Sequence, residues 1–248
     1  MKVNDKRIDK HIKAINQFNS TPEKGITRFS YSEEDRKARD YLLNEMKKLN
    51  FDITVDPIGN IRARREGTDT EALPIMTGSH IDTVLNGGKY DGVVGVVTAL
   101  EAITVLEEEN IETKNPVELI VFVEEEGANF GSPLAGSKTL IGDYKVEDLK
   151  ELINDDGISM YEAARNFDLN PEQMRGHLIN PGDIKAMLEV HVEQSLVLDE
   201  ENIPIGVVSA INGMRWLELE FKGQSNHAGA TPMLYRKDPM VGAAKLIR

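Results

Sequence analysis

The sequence predicts an α/β fold. Strand-like apolar runs at 73–79, 117–123 and 185–193 alternate with helix-period segments at 92–109, 146–154 and 159–167, the order that builds a sheet covered by helices. The residues able to do chemistry gather where those runs end, which is where open α/β sheets bind ligands. No internal repeat or low-complexity segment interrupts the pattern.

Ile8, Ile12, Ile15 and Phe18 recur at helical spacing and predict an N-terminal helix. Ser32 is placed to cap a second helix. Acids at 33 to 35 suit its first turn, and Ala38, Tyr41, Leu42 and Leu49 form its inner face. Phe51 to Asp56 and Asn60 to Arg65 read as a strand pair around the turn Pro57-Ile58-Gly59. Two further strands are expected between Ile203 and Lys222, broken at Gly206 and Gly213. Residues 239–248 read as an amphipathic helix without a C-cap.

Four blocks concentrate the chemistry. The first, Thr77-Gly-Ser-His-Ile-Asp-Thr83 with Tyr90-Asp-Gly92, sets His80, Asp82 and Asp91 at a strand-to-helix crossing. Imidazole and carboxylate are the usual ligands of catalytic zinc, and a carboxylate can span two ions. A satisfied polar loop, with Asp82 and Asp91 as turn residues, is the alternative for this block alone. In the second, the apolar run 117–123 ends in Glu124-Glu-Glu-Gly127. Adjacent carboxylates at a buried strand end repel one another unless a cation holds them. If the strand stays extended, Glu124 and Glu126 face one side and Glu125 the other, so neighbouring acids could serve as ligand and base. A solvated acidic strand end is the plainer reading.

The third block, Met187-Leu-Glu-Val-His-Val-Glu-Gln194, alternates, with His191 on the polar side. The fourth, Gly223-Gln-Ser-Asn-His-Ala-Gly-Ala-Thr-Pro232, surrounds His227 with small residues that leave it approachable. His11 and His177, the other two of the five histidines, have no comparable motif and are expected at the surface.

Taken in order, G-S-H-I-D-T, Y-D-G, E-E-E-G, H-V-E-Q and S-N-H-A-G-A-T-P-M resemble the M20-type metallohydrolases. Within them the set is most similar to the hydantoinase/carbamoylase amidohydrolase branch: N-carbamoyl-L-amino-acid hydrolases, allantoate amidohydrolases and β-ureidopropionase-like enzymes. The resemblance runs from about Arg36 to the last residue. The branch rests on His191, where the superfamily's peptidases carry an acid, and on the Glu-Gln pair after it.

That resemblance implies a three-layer α/β catalytic domain with a mixed sheet over 1–210, and over 211–248 the beginning of an inserted α/β lid that also dimerises. It implies two divalent ions, zinc first, with manganese, cobalt or nickel as alternatives because mixed N/O sites discriminate poorly among them. His80, Asp91, Glu126 and His191 match metal ligands, Asp91 bridging ions roughly 3.5–4 Å apart. Asp82 matches the carboxylate that orients His80. Glu125 matches the general base that takes a proton from the attacking water and delivers it to the leaving nitrogen. Gln194 and His227 match substrate-binding positions, His227 also stabilising the oxyanion, often from the partner subunit. The peptide after Asp91 is often cis in the family.

One departure stands out. The family's second metal takes a further histidine toward the C-terminus, and no histidine follows His227. The arginine and asparagine that clamp the substrate carboxylate are also expected beyond Arg248. The chain is therefore expected to be a fragment, inactive as it stands.

Composition agrees. There is no cysteine for disulfides or thiolate metal sites, no apolar run approaches the ~18–20 residues of a membrane span, and no signal-peptide core follows Met1. The formal charge of −13 argues against nucleic acid and anionic membrane as partners. Residues 211–248 carry a net +3, leaving −16 on the first 210.

The expected function is hydrolysis of a carbamoyl or ureido C–N bond of a small carboxylated substrate, by a cytoplasmic enzyme that is a homodimer at full length. An M20 aminoacylase or dipeptidase is the alternative within enzymes. A metal-binding homologue without catalysis is the alternative outside them.

Overall fold

Ile12 and Ile15 turn inward from the first helix, α1 (Asp5–Asn16), where Asn4 caps the N-terminus by accepting from the Arg7 N–H. A computed structural model gives this architecture and describes residues 2–49, 51–213 and 217–247. The second helix, α2 (Glu33–Lys47), starts at Ser32, whose side chain accepts from the Asp35 N–H. Loss of such a cap costs about 1 kcal/mol. His11 is not at the surface. It is buried between α1 and α2 with Nδ1 2.7 Å from the Tyr41 hydroxyl. Its neighbours are the apolar face Ile8, Ile12 and Ile15, and one polar partner makes the histidine tolerable there. His177 is partly buried.

Strands β1 (Asp52–Val55) and β2 (Ile61–Arg65) form the hairpin expected around Pro57-Ile58-Gly59. Strand β3 (Ile75–His80) leads into helix α3 (Val93–Glu108), and β4 (Val117–Phe122) follows. Helices α4 (Ala135–Leu140), α5 (Val146–Glu151) and α6 (Met160–Asn166) then precede β5 (Ala186–Leu188). The sheet has the order β1-β2-β4-β3-β5. It is mixed: β1-β2 and β2-β4 are antiparallel, β3-β4 and β3-β5 parallel.

Both faces of β4 are covered, which explains its largely apolar run, broken only by Glu118, whose carboxylate pairs with Arg62. Leu119 and Val121 pack with α1, α2 and α3, whereas Ile120 packs with Met76 and Leu140 on the other face. Helix α3 packs closely because residue 95 is glycine. A Cβ there would lie 2.5 Å from the Val190 carbonyl oxygen and 2.6 Å from Ser79 Cβ.

The chain divides into two compact units, Met1–Gln194 and Ser195–Arg248. That division by contacts falls ahead of the 210/211 boundary read from family roles. The strand expected over 185–193 ends at Leu188. The second unit contains α7 (Val197–Glu200) and α8 (Pro239–Ile247). The two strands expected between 203 and 222 do not form among its described residues, where no ladder partner pairs with them. Residues 214–216 of that stretch lie outside the described residues. No helix among the described residues is long and apolar enough to cross a membrane.

Candidate metal centre

Parallel pairing of β3 with β4 sets the site. The register places His80 level with Phe122, so the residues that follow each strand leave the sheet at the same edge. His80 is buried at that edge. Its Nδ1 lies 2.9 Å from the Asp82 backbone carbonyl oxygen. A carbonyl only accepts, so Nδ1 carries the proton and Nε2 is left with its lone pair. The Asp82 carboxylate oxygen Oδ1 is farther from Nδ1, at 3.6 Å. The tautomer is therefore fixed by the backbone of Asp82 rather than by its side chain. The carboxylate instead reaches across with Oδ2 to accept the Glu126 backbone N–H at 3.1 Å.

His191 repeats the arrangement. Its Nδ1 donates to the Val192 carbonyl oxygen at 3.0 Å, leaving Nε2 as an acceptor 3.2 Å from Asp91 Oδ1. The two imidazoles are stacked, with centroids 5.9 Å apart and planes at 29°. His80 Nε2 lies 4.0 Å from Asp91 Oδ1 and 3.4 Å from Glu125 Oε2. Ligand atoms of His80, Asp91 and His191 all fall within 4.8 Å of one another. Asp91 Oδ1 is buried without a hydrogen-bond partner, while Oδ2 accepts from Gln194 Nε2 at 2.9 Å. Two imidazole lone pairs and an unsatisfied carboxylate oxygen on one point form the donor set that a divalent cation requires.

Gly92 makes that convergence possible. It adopts φ +61° at the start of α3, and a Cβ there would sit 2.5 Å from His80 Cε1 and Nε2. Among the described residues no peptide bond is cis, so Gly92 meets the sharp turn through its dihedrals.

The acids at the end of β4 do not follow the strand alternation. The strand stops at Phe122 and Glu124 takes φ +49°, which breaks the two-residue period. Glu124 turns inward, accepting from the Asn129 and Phe130 N–H groups at 3.1 and 2.8 Å. Glu125 and Glu126 are half-buried. Burial pushes Glu124 up to about 7, with Asp82 adding to it. Burial likewise pushes Glu126 up to about 7 against the pull of His80, with Asp91 and Glu125 raising it further. Glu125 is raised by burial, and His80 opposes that shift. For His80 burial pulls the imidazolium down, but Asp82 and Glu125 outweigh it and the net shift is upward. So much crowded negative charge calls for cations.

The first three sequence blocks thus bring His80, Asp82, Asp91, Glu125, Glu126, His191 and Gln194 together beyond the carboxyl ends of the inner strands β3 and β4. His227 lies in the second unit. Its Nδ1 accepts from the Gly229 and Ala230 N–H groups at 3.1 and 3.0 Å, which leaves the ring proton on Nε2.

Two supporting residues have no sequence motif. Asp56 Oδ1 accepts from the N–H groups of Ile58, Gly59 and Asn60. Asn60 is buried; its Oδ1 accepts the Val123 N–H at 3.0 Å, and its amide donates to Asp56 Oδ2 at 2.6 Å and to the Gly136 carbonyl at 3.1 Å. This plug catches the backbone where β4 ends, just before the acids. The one sequence signal is a polar Asp-x-x-x-Asn turn between apolar strands.

Comparison with known proteins agrees with this geometry. An N-carbamoyl-L-amino-acid amidohydrolase of Paenarthrobacter aurescens is 42% identical over 247 residues, covering 100% of this chain and 60% of the relative. An allantoate amidohydrolase of Bacillus subtilis (strain 168) is 33% identical, covering 97% of this chain and 58% of the relative. The crystal structure of a hydantoinase/carbamoylase family amidase from Burkholderia ambifaria superposes with a TM-score of 0.80 at 29% identity, covering 99% of this chain and 59% of that one. The chain spans about 60% of the length of these relatives. The model of peptidase family M20/M25/M40 matches residues 76–247, a span that takes in every block of the site, and the chain belongs to that family.

Proposed function

We propose that this chain supplies the metal centre and general base of an amidohydrolase that cleaves a carbamoyl or ureido C–N bond of a small carboxylated substrate. The observation that carries the reading is the meeting of His80 Nε2, His191 Nε2 and Asp91 Oδ1, with the Glu125 carboxylate 3.4 Å from His80 Nε2. His80, Asp91 and His191 would hold one divalent ion, and Asp91 with Glu126 would contribute to a second. Zinc is the first choice, with manganese, cobalt or nickel as alternatives. When bound, such ions acidify a water and polarise the substrate carbonyl.

The rest is the work of side chains. Glu125 makes no hydrogen bond that would tie up both oxygens, and its raised pKa suits a group that accepts a proton from the attacking water. It then returns that proton to the nitrogen as the C–N bond breaks. Glu126 is held through its backbone by Asp82, and its carboxylate feels the charge of Asp91. Gln194 fixes the second Asp91 oxygen through its amide N–H and is itself exposed. His227, with its proton on Nε2, is in the form that donates to an oxyanion. In a homodimer that donor can come from the partner subunit. We place the enzyme in the cytoplasm, with a small molecule as its substrate and no nucleic acid or membrane partner.

The relatives named for N-carbamoyl-L-amino acids and for allantoate share a ureido group beside a carboxylate, which supports this substrate class. The test is to supply the gene's full product with zinc or manganese and follow products. An N-carbamoyl-L-amino acid should release ammonia and carbon dioxide. Turnover of dipeptides with none of the carbamoyl substrate would replace this reading with a dipeptidase.

A further inference from the structure

Arg28 has the largest fully buried side chain among the described residues. It comes from a segment laid beside the stretch that follows β3. The Thr83 N–H donates to the Arg28 carbonyl at 3.1 Å, and the Arg28 N–H donates to Thr83 Oγ1 at 3.0 Å. Inside, its guanidinium donates in two directions. Nε reaches the Ile81 carbonyl at 2.8 Å, and Nη1 reaches the Ile15 and Phe18 carbonyls at 3.0 Å each. Ile15 is in the last turn of α1 and Phe18 just beyond its C-cap Gln17, at the end of the helix where the carbonyls carry negative partial charge. Ile81 stands between His80 and Asp82.

Filling the space does not require this side chain, because methionine would occupy a similar volume without desolvating a charge. Only a planar fork can hold carbonyls of two separate elements at fixed angles. Burial lowers the guanidinium to about 10, and Asp35 and Asp82 oppose that shift, so it is a cation at neutral pH. Its charge is felt by the buried Asp82.

We propose that Arg28 is a positioning residue of the metal centre, fixing the Ile81 carbonyl to the end of α1 and so setting the places of the His80 imidazole and the Asp82 carboxylate. The inference rests on the metal-centre reading above. It concerns a residue that touches no ligand atom and acts through two residues that do the work.

The test uses the 248-residue chain, titrated with zinc in competition with a chelator and loaded separately with cobalt for its visible spectrum. Arg28→Met removes charge and fork. Arg28→Lys keeps the charge, but its single nitrogen lacks the fixed separation of Nε and Nη1 by which the fork reaches Ile81 and the end of α1 at once. Met46→Ala, in the same core, controls for lost stability alone. We expect zinc affinity to fall about 10–100-fold in Arg28→Met, the usual scale for residues that orient ligands, and several-fold in Arg28→Lys. The cobalt spectrum should shift in both and stay unchanged in Met46→Ala. Should Arg28→Met fail to fold, Arg28→Lys decides. Wild-type affinity and spectrum in Arg28→Lys would overturn the inference and leave the metal-centre reading standing, as would an equal affinity loss in Met46→Ala. A wild-type chain that binds no zinc removes both.

Discussion

The Asp82 carboxylate accepts a hydrogen bond from the Glu126 backbone N–H, Oδ2 to N at 3.1 Å. This bond links the residues that follow β3 to those that follow β4, and it joins His80 and Glu126 through a residue that is itself buried. Asp82 thus works twice, its carbonyl fixing the His80 tautomer and its carboxylate seating Glu126.

Asp82→Asn keeps the carbonyl and an acceptor oxygen but removes the charge. Metal affinity or activity should fall about 10–100-fold, as expected of a residue that holds ligands in place. The far larger loss typical of a removed ligand, read by metal analysis, would mean that Asp82 binds the ion itself.

Glu125 and Glu126 should separate by assay despite their adjacency. In the full-length enzyme Glu125→Gln is expected to abolish turnover with metal content near wild type. Glu126→Gln should lower occupancy of one ion. Elemental analysis showing equal metal loss in both variants would contradict the division of roles.

Gly92→Ala adds a methyl group against the His80 ring, at a backbone angle that favours glycine. Strain and displacement together should cost roughly 1–3 kcal/mol of stability and weaken metal binding. Denaturant melts with zinc titration check both; unchanged affinity would show that the ring has room to move.

His11 gives a pH dependence away from the site. Burial lowers its pKa below the ordinary histidine value of 6.5, with Glu45 opposing and Lys10 assisting. The folded state therefore favours neutral His11. Its contribution is complete above about pH 6.5 and is lost as pH falls from there toward the lowered folded value. His11→Gln should flatten that part of the stability curve, measured as melting temperature against pH. An identical slope in wild type and variant would assign the dependence to another group.

Much of this was legible in the sequence because period and punctuation agree locally. Ser32 with its acids, the apolar run 117–123 and the turn at Pro57-Ile58-Gly59 each name their structure without help from distant residues. The histidines and acids of the candidate site stand out because they fall in short polar blocks in a fixed order, several of them just after apolar runs. What escaped depends on contacts far apart in the chain. His11 has the spacing of the buried face formed by Ile8, Ile12 and Ile15, but its residue type argues for the surface, and only the distant Tyr41 hydroxyl makes its burial tolerable. Glu124 breaks the alternation because the 129–130 backbone captures its carboxylate. The strands expected over 203–222 need ladder partners that their own residues do not announce.

The most direct test of the metal centre is X-ray absorption at the zinc edge, on the chain loaded with one equivalent of zinc. The account predicts two imidazole nitrogens at about 2.0–2.1 Å together with carboxylate oxygen, from His80, His191 and Asp91. A zinc shell of oxygen alone, or of a single imidazole, would contradict it.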